Sequence, residues 1–184
     1  MDNFKILVGA PVCDLYKYCF EEFINNLKNL TYSNYEILLV DNSPDDSYLK
    51  KIKSLKLSAI KGPYFEPARD RIIASRNILR EKAIKENYDY FFSLEQDVLP
   101  PKNILEKLLS HNKKLISAVY FANNIMPDMI SKELIPLVYK LVDEKDLSMR
   151  PLNEAELWEK QGLIEIVSAG LGCLLIHRDI LEKI

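Results

Sequence analysis

Tyr88-Asp89-Tyr90-Phe91-Phe92-Ser93-Leu94-Glu95-Gln96-Asp97-Val98-Leu99-Pro100-Pro101 runs from aromatic and apolar residues straight into two acids, with a proline pair behind them. The apolar half reads as a buried strand of a parallel sheet, covered on both faces. Glu95 and Asp97 then fall at the carboxyl end of that strand, where open α/β sheets hold their ligands. Two acids one residue apart need a counter-charge if they are to be desolvated. A divalent cation and the phosphates it carries would supply that charge. The plainer alternative is that both acids begin a solvated loop.

On either side of this stretch the chain alternates. Lys5 to Val12 reads as a first buried strand stopped by Pro11, and Asp14 is placed to cap the helix that follows. Tyr16, Cys19, Phe20, Phe23, Ile24, Leu27 and Leu30 recur every three or four residues and form the apolar face of that helix. Tyr35 to Asp41 is a second strand entering the turn Asp41-Asn42-Ser43-Pro44. Asp41 stands at its carboxyl end, where an acid can accept from a nucleotide base or ribose, and it also suits a turn. Asp45 or Asp46 is placed to cap a short helix over 47–55, and Lys56 to Ile60 reads as a short strand.

The segment from Pro67 to Asn87 is the strongest helical pattern, with Ala68, Ile72, Ile73, Ser75, Ile78, Leu79, Ala83 and Ile84 on its apolar face. Arg76 lies beside that face and needs a partner. A salt bridge to Asp41 or Glu95 would serve, and so would a ligand phosphate. Pro101 suits the first turn of a helix to about Ser110. Leu115 to Phe121 reads as a buried strand, 122–134 as an irregular loop, Ile135 to Val142 as an edge strand, and Glu154 to Lys160 as a short helix closed by Gly162. Leu163 to Val167 is strand-like. Ser168-Ala169-Gly170-Leu171-Gly172 is small enough for close backbone approach, and Cys173 to Arg178 is a last buried strand before a terminal helix at Asp179.

Composition sets bounds. The chain has 184 residues, 48% hydrophobic and 28% charged, with a formal net charge of -2. That fits one compact domain of residues 1–184, with a nucleotide-binding half of about 1–100 and an acceptor half of about 101–184. The charge argues against a nucleic-acid partner, which needs a basic face. Three scattered cysteines and two histidines exclude a zinc pattern and suit a reducing, cytoplasmic compartment. No signal peptide is evident, and the apolar stretch Ile166–Ile176 is too short to cross a bilayer as a helix. Without G-x-G-x-x-G after the first strand, a dinucleotide-binding oxidoreductase is disfavoured.

The ordered set Val40-Asp41-Asn42-Ser43, Ser75-Arg76-Asn77, Leu94-Glu95-Gln96-Asp97 and Gly170-Leu171-Gly172-Cys173-Leu174-Leu175-Ile176 resembles the GT-A-fold glycosyltransferases of the family 2 type. The resemblance implies an α/β, Rossmann-like, mostly parallel sheet flanked by helices, with a small antiparallel or edge portion toward the carboxyl end. It implies transfer, inverting in type, of a sugar from a nucleotide-diphosphate donor to an acceptor that is a glycan, lipid or protein, with Mn²⁺ or Mg²⁺. Residue by residue, Pro11 and Val12 would border the base, and Asp41 would contact base or ribose. Arg76 and Asn77 would lie beside the nucleotide. Glu95, Gln96 and Asp97 stand where the family has Asp-X-Asp, so Asp97 would hold the metal and Glu95 would face the ribose or the metal shell. Gly170 and Gly172 would lie beside donor sugar and acceptor. Lipid-linked acceptors leave a peripheral membrane role open.

Two departures follow. Glu95 replaces the first Asp of the motif. The family's Glu-Asp base motif would fall beyond residue 184, so the base comes from elsewhere, the chain is a shortened version, or the protein binds a nucleotide sugar without transferring it. Asp128, Asp143 and Glu144 are conceivable substitutes. A nucleotidyltransferase is the other enzymatic reading, weakened because Gly9-Ala10-Pro11-Val12-Cys13-Asp14 is not a basic, glycine-rich loop.

Overall fold

The computed structural model describes residues 3–125, 132–158 and 162–184. Contacts divide the chain into two units, one of residues 1–116 with 172–184 and one of residues 117–171.

The first unit opens with β1 (Ile6–Val12), every residue of which is buried. A 3-10 turn at Asp14–Tyr16 precedes α1 (Phe20–Lys28). Then come β2 (Tyr35–Asp41), α2 (Ser47–Ser54), β3 (Ala59–Lys61), α3 (Ala68–Lys85), β4 (Tyr90–Leu94), α4 (Ile104–Ser110) and β5 (Leu115–Ser117). The second unit holds β6 (Phe121–Ile125), β7 (Lys132–Pro136), β8 (Val138–Asp143), β9 (Ser148–Pro151), α5 (Glu154–Trp158) and β10 (Ser168–Ala169). The chain returns to the first unit with β11 (Cys173–His177) and α6 (Arg178–Leu181).

The central sheet has the order β3-β2-β1-β4-β11-β5. β1 pairs in parallel with β2, placing Val12 beside Asp41, and in parallel with β4, placing Gly9 beside Ser93. β2 pairs in parallel with β3, and β11 is antiparallel to β4. The expected mostly parallel α/β class is thus borne out, with antiparallel strands toward the carboxyl end. The chain builds β1, β2 and β3 outward in one direction and then returns to place β4 on the other side of β1. That reversal leaves a crevice at the carboxyl ends of β1 and β4. In the second unit, β6 pairs with β7, and β8 lies between β10 and β9, all antiparallel.

α3 lies directly on the sheet because Gly9 gives it room. A Cβ at Gly9 would lie 2.8 Å from Leu79 Cδ2 and 2.8 Å from Phe91 Cε2. The buried residues of α3 are Arg71, Ser75, Leu79 and Ala83, an i+4 stripe. The expected apolar face is therefore corrected: Ile72 and Ile73 are 40% and 46% exposed. Arg71 holds the stripe's first position because its guanidinium donates to the carbonyls of Phe65 (2.6 Å) and Glu66 (2.8 Å).

Other boundaries move for local reasons. Asp14 heads the 3-10 turn, and α1 begins six residues later behind Cys19, which leaves Tyr16 exposed. Lys56 has a φ of 59°, so it ends the turn after α2, and β3 starts only at Ala59. Asp45 accepts from the Ser47 amide at 2.8 Å and serves the start of α2. α4 starts at Ile104, not at Pro101. The expected strand over Leu115 to Phe121 splits into β5 and β6. Leu163 to Val167 forms no strand; pairing with β8 begins at Ser168. Part of the expected loop over 122–134 is β6 and β7, while 126–131, with Asp128, and Lys160 of the short helix lie outside the described residues.

The three cysteines are free and buried. His177 packs on Tyr90 with ring centres 4.9 Å apart, and its Nδ1 accepts from the Asp179 amide, which starts α6. No described helix is long and apolar enough to cross a membrane.

Candidate functional site

A cleft of about 270 Å³ opens at the crevice between the carboxyl ends of β1 and β4. Its walls include Pro11, Val12 and Cys13 from β1 and the turn after it, Leu15 and Tyr16 from the 3-10 turn, and Asn42 from the end of β2. Ala68, Arg71, Ile72 and Arg76 come from α3, and Glu95, Gln96 and Asp97 follow β4. Pro11, Val12, Arg76, Glu95, Gln96 and Asp97 of the expected site therefore meet in one place.

Asp41 does not line this cleft. Its side chain is 0% exposed and fully engaged inside the fold. Oδ1 accepts from the Ser43 amide at 3.0 Å and the Ser43 hydroxyl at 2.5 Å. Oδ2 pairs with Lys61 Nζ at 3.0 Å. Lys61 also donates to the carbonyls of Ser43 (2.7 Å) and Asp45, so its ammonium closes the whole turn. The next residue, Asn42, is the one that reaches the cleft wall. Ser75 donates its only hydroxyl proton to the Arg71 carbonyl at 2.8 Å. Its oxygen can then only accept, and Asn42 Nδ2 donates to it at 3.3 Å. That contact fixes the orientation of the Asn42 amide. Neighbouring residues at a strand end face opposite ways, so of Asp41 and Asn42 only one could line the cleft.

Arg76 answers the question its position posed. Its guanidinium donates to Ser93 Oγ and pairs with Glu95 Oε1 at 3.0 Å, with side-chain exposures of 10% for Arg76 and 39% for Glu95. Asn77, one residue on, is exposed and is not among the lining residues. Gln96 is 4% exposed. Its Oε1 accepts from the Cys13 amide at 2.9 Å, and its Nε2 donates to the Tyr16 carbonyl at 2.9 Å and to Tyr48 Oη at 2.6 Å. Asp97 is exposed on the cleft wall, and among the described residues no ion pair involves it.

The electrostatics follow this layout. Burial, then the charges of Asp97 and Glu95, push the Tyr16 hydroxyl above its usual range, so it stays a protonated donor at the cleft mouth. Burial and then the Asp97 charge raise the Cys19 thiol, and burial raises Cys13. Both thiols therefore remain neutral rather than nucleophilic. Among the described residues no group of three or more His, Cys, Asp or Glu side chains is placed to hold a metal.

The two glycines differ in what they serve. In the second unit, a Cβ at Gly170 would overlap the Tyr120 hydroxyl and lie 3.1 Å from Leu137 Cβ, so its smallness admits a tyrosine. Gly172 offers its carbonyl to the Glu95 amide at 3.3 Å and so steadies the acidic end of β4. Cys13, Leu15, Tyr16, Asn42, Ala68, Arg71 and Ile72 are the cleft residues that the sequence reading missed.

The solved structure of CMP:2-keto-3-deoxy-manno-octonic acid synthetase complexed with CTP is similar to 97% of this chain and 76% of that one, with a TM-score of 0.52 and 14% identity, a likeness of fold. TarS of S. aureus is similar over 60% of this chain and 20% of its own, at 18% identity and a TM-score of 0.46. The mannosyltransferase PcManGT from Pyrobaculum calidifontis, in complex with GDP-Man and Mn²⁺, is similar over 63% and 35%, at 20% identity and a TM-score of 0.47. The chain thus spans about a fifth and a third of the length of these two proteins. No curated protein matches it in sequence. The model of glycosyl transferase family 2 matches residues 18–152, from before α1 to after β9; the chain belongs to that family.

Proposed function

We propose that this protein binds a nucleotide-diphosphate sugar in the cleft between β1 and β4 and takes part in transferring the sugar, with inversion, to an acceptor. One observation carries the reading: Glu95 and Asp97 sit on the wall of a cleft at the reversal point of a parallel sheet, in a member of glycosyl transferase family 2. Pro11, Val12 and Asn42 would border the base. Asp41 would act from behind, through the turn that carries Asn42.

The two acids have different conditions. Glu95 is already paired with Arg76, whereas Asp97 is exposed. Mn²⁺ and Mg²⁺ use one or two carboxylates together with substrate phosphates and water. The all-oxygen pair Glu95 and Asp97 fits an ion that arrives with a diphosphate, with Asp97 as its first ligand. Such an ion supplies Lewis-acid stabilisation of the leaving diphosphate. Arg76 would hold Glu95 in place, and the neutral Tyr16 hydroxyl could donate to a phosphate or sugar oxygen at the mouth. Glu95 and Asp97 are the carboxylates that line the cleft, so the base for the acceptor hydroxyl would come from outside those walls.

The test is calorimetric titration of UDP, GDP and CMP with and without Mn²⁺, on the protein and on Asp97→Ala. Metal-dependent binding of one nucleotide, lost in the variant, supports the reading. Binding that ignores both the metal and the substitution removes Asp97 from the site. A nucleotidyltransferase is the second reading, favoured by the fold likeness to the synthetase that was solved with CTP. Release of pyrophosphate from a nucleoside triphosphate and a sugar acid would select it.

A further inference from the structure

We propose that Gln96 is a positioning residue that fixes the Asp97 carboxylate against the Cys13–Tyr16 segment, and so sets how tightly the cleft holds a nucleoside diphosphate with its cation. The inference rests on the donor-site reading above. Gln96 lies between the two acids, so any shift of its backbone moves both. Its amide orientation is unambiguous. The Cys13 N–H can only donate, so it must face Oε1; the Tyr16 carbonyl can only accept, so it must face Nε2. The second amide proton goes to Tyr48 Oη on α2. Both protons are therefore spent inside the protein, and Gln96 has none to offer a ligand. Cys19 Sγ lies within reach of both the Tyr16 carbonyl (3.2 Å) and the Gln96 carbonyl (3.4 Å), so its single proton serves one or the other side of the same junction.

These contacts join the acidic end of β4 to the Cys13–Tyr16 segment, which lines the same cleft. Cys13, Leu15 and Tyr16 line it from that segment, and Asp97, next in sequence to Gln96, lines it as well. A buried amide satisfied at all three groups is a rigid connector, and removing it leaves the Cys13 N–H without its partner and takes from the Tyr16 carbonyl one of its donors, the Cys19 amide remaining. The consequence falls on the spacing between Asp97 and Tyr16, while Gln96 itself makes no contact with the ligand.

The experiment titrates the nucleotide that binds the unaltered protein, at several Mn²⁺ concentrations, into three variants. Gln96→Leu keeps the volume and deletes the amide. Its Kd should rise roughly 10- to 100-fold, as when a partner of a metal ligand is removed, with a parallel rise in the Mn²⁺ needed for half-maximal binding. Gln96→Glu places a carboxylate opposite the Tyr16 carbonyl at pH 8. That carboxylate can still accept from Cys13 but cannot donate to Tyr16, so its Kd should rise as well. Tyr48→Phe removes one bond from outside the cleft walls and should weaken binding about two- to tenfold; it remains informative if Gln96→Leu does not fold. Equal affinity and equal Mn²⁺ dependence in Gln96→Leu and Tyr48→Phe, with normal binding by the unaltered protein, would overturn the positioning role alone. Absence of binding by the unaltered protein overturns the donor-site reading and this inference with it.

Discussion

Lys61→Met is the sharpest probe of the turn behind the cleft. The substitution keeps most of the aliphatic stem and deletes the ammonium. Three bonds go with it: to Asp41 Oδ2, to the Ser43 carbonyl and to the Asp45 carbonyl. Asp41, 0% exposed, is left with a carboxylate supported only by Ser43. Breaking a buried pair by removing one partner costs about 3–5 kcal/mol. Two features place this case at the lower end. Both Ser43 bonds to Oδ1 survive, and the Lys61 side chain is 27% exposed, so water can reach the vacated position. The expected loss is about 3 kcal/mol, or roughly 6–12 °C in the midpoint for a chain of this size. Thermal and urea unfolding followed by circular dichroism measure it. The double variant Asp41→Asn with Lys61→Met removes the stranded charge and should recover more than about 1 kcal/mol relative to additivity. A single variant within about 0.5 kcal/mol of the unaltered protein, as at an ordinary surface site, would refute the buried-pair argument. So would strict additivity of the two substitutions.

Two further outcomes follow from the second unit. Gly170→Ala forces a methyl group onto the Tyr120 hydroxyl and Leu137 Cβ, so it should cost about 1–3 kcal/mol of stability and be largely relieved by adding Tyr120→Ala; chemical denaturation of the single and double variants measures both. Glu156 is held well below its ordinary 4.5, first by hydrogen bonds from Arg150 and Lys140 and then by the Asn153 amide. A depressed folded-state value means stability present above the unfolded value and lost as pH falls, so the protection of β8 and β9 amides against hydrogen exchange, relative to the intrinsic rate at each pH, should fall progressively below about pH 4.5. Glu156→Gln should flatten that pH dependence, and an unchanged slope would assign it to other acids.

The strands that form the site were legible because a parallel sheet buries both faces. Ile6–Val12, Tyr90–Leu94 and Cys173–His177 are predominantly apolar runs, buried along nearly their whole length. The face of α3 was not legible. Its buried stripe is set by the space at Gly9 and at Gly62, where a Cβ would lie 2.8 Å from Val40 Cγ1 and 3.3 Å from Ser75 Oγ. Those gaps draw Ser75 and Leu79 inward and leave Ile72 and Ile73 outside, against the hydrophobic pattern. Leu163 to Val167 is apolar and β-branched enough to look like a strand, yet Val167 gives β8 only one backbone bond, to the Tyr139 carbonyl. Without a ladder, an apolar, β-branched run does not make a strand. The acids at the end of β4 were legible as a pair. The role of Gln96 was not, because its partners stand 83, 80 and 48 residues away.

Three acids sit near the carboxyl edge of this sheet, and the fold treats each differently. Asp41 is enclosed by a lysine and a serine, Glu95 is half open and tied to Arg76, and Asp97 faces solvent. An acid that already has a counter-charge gains less from a cation than an unpaired one, and enclosure adds the cost of reopening the turn. Asp97 can accept a cation without either disadvantage. It therefore has the smallest barrier to serving as a cation ligand, although all three stand at strand ends that look equivalent in sequence. The same reasoning separates site from stability. Replacing Asp97 removes a solvated group, which alters stability by no more than about 0.5 kcal/mol. A loss of nucleotide binding in Asp97→Ala would then report on the cleft and not on the fold, a distinction that substitution of Asp41 could not give.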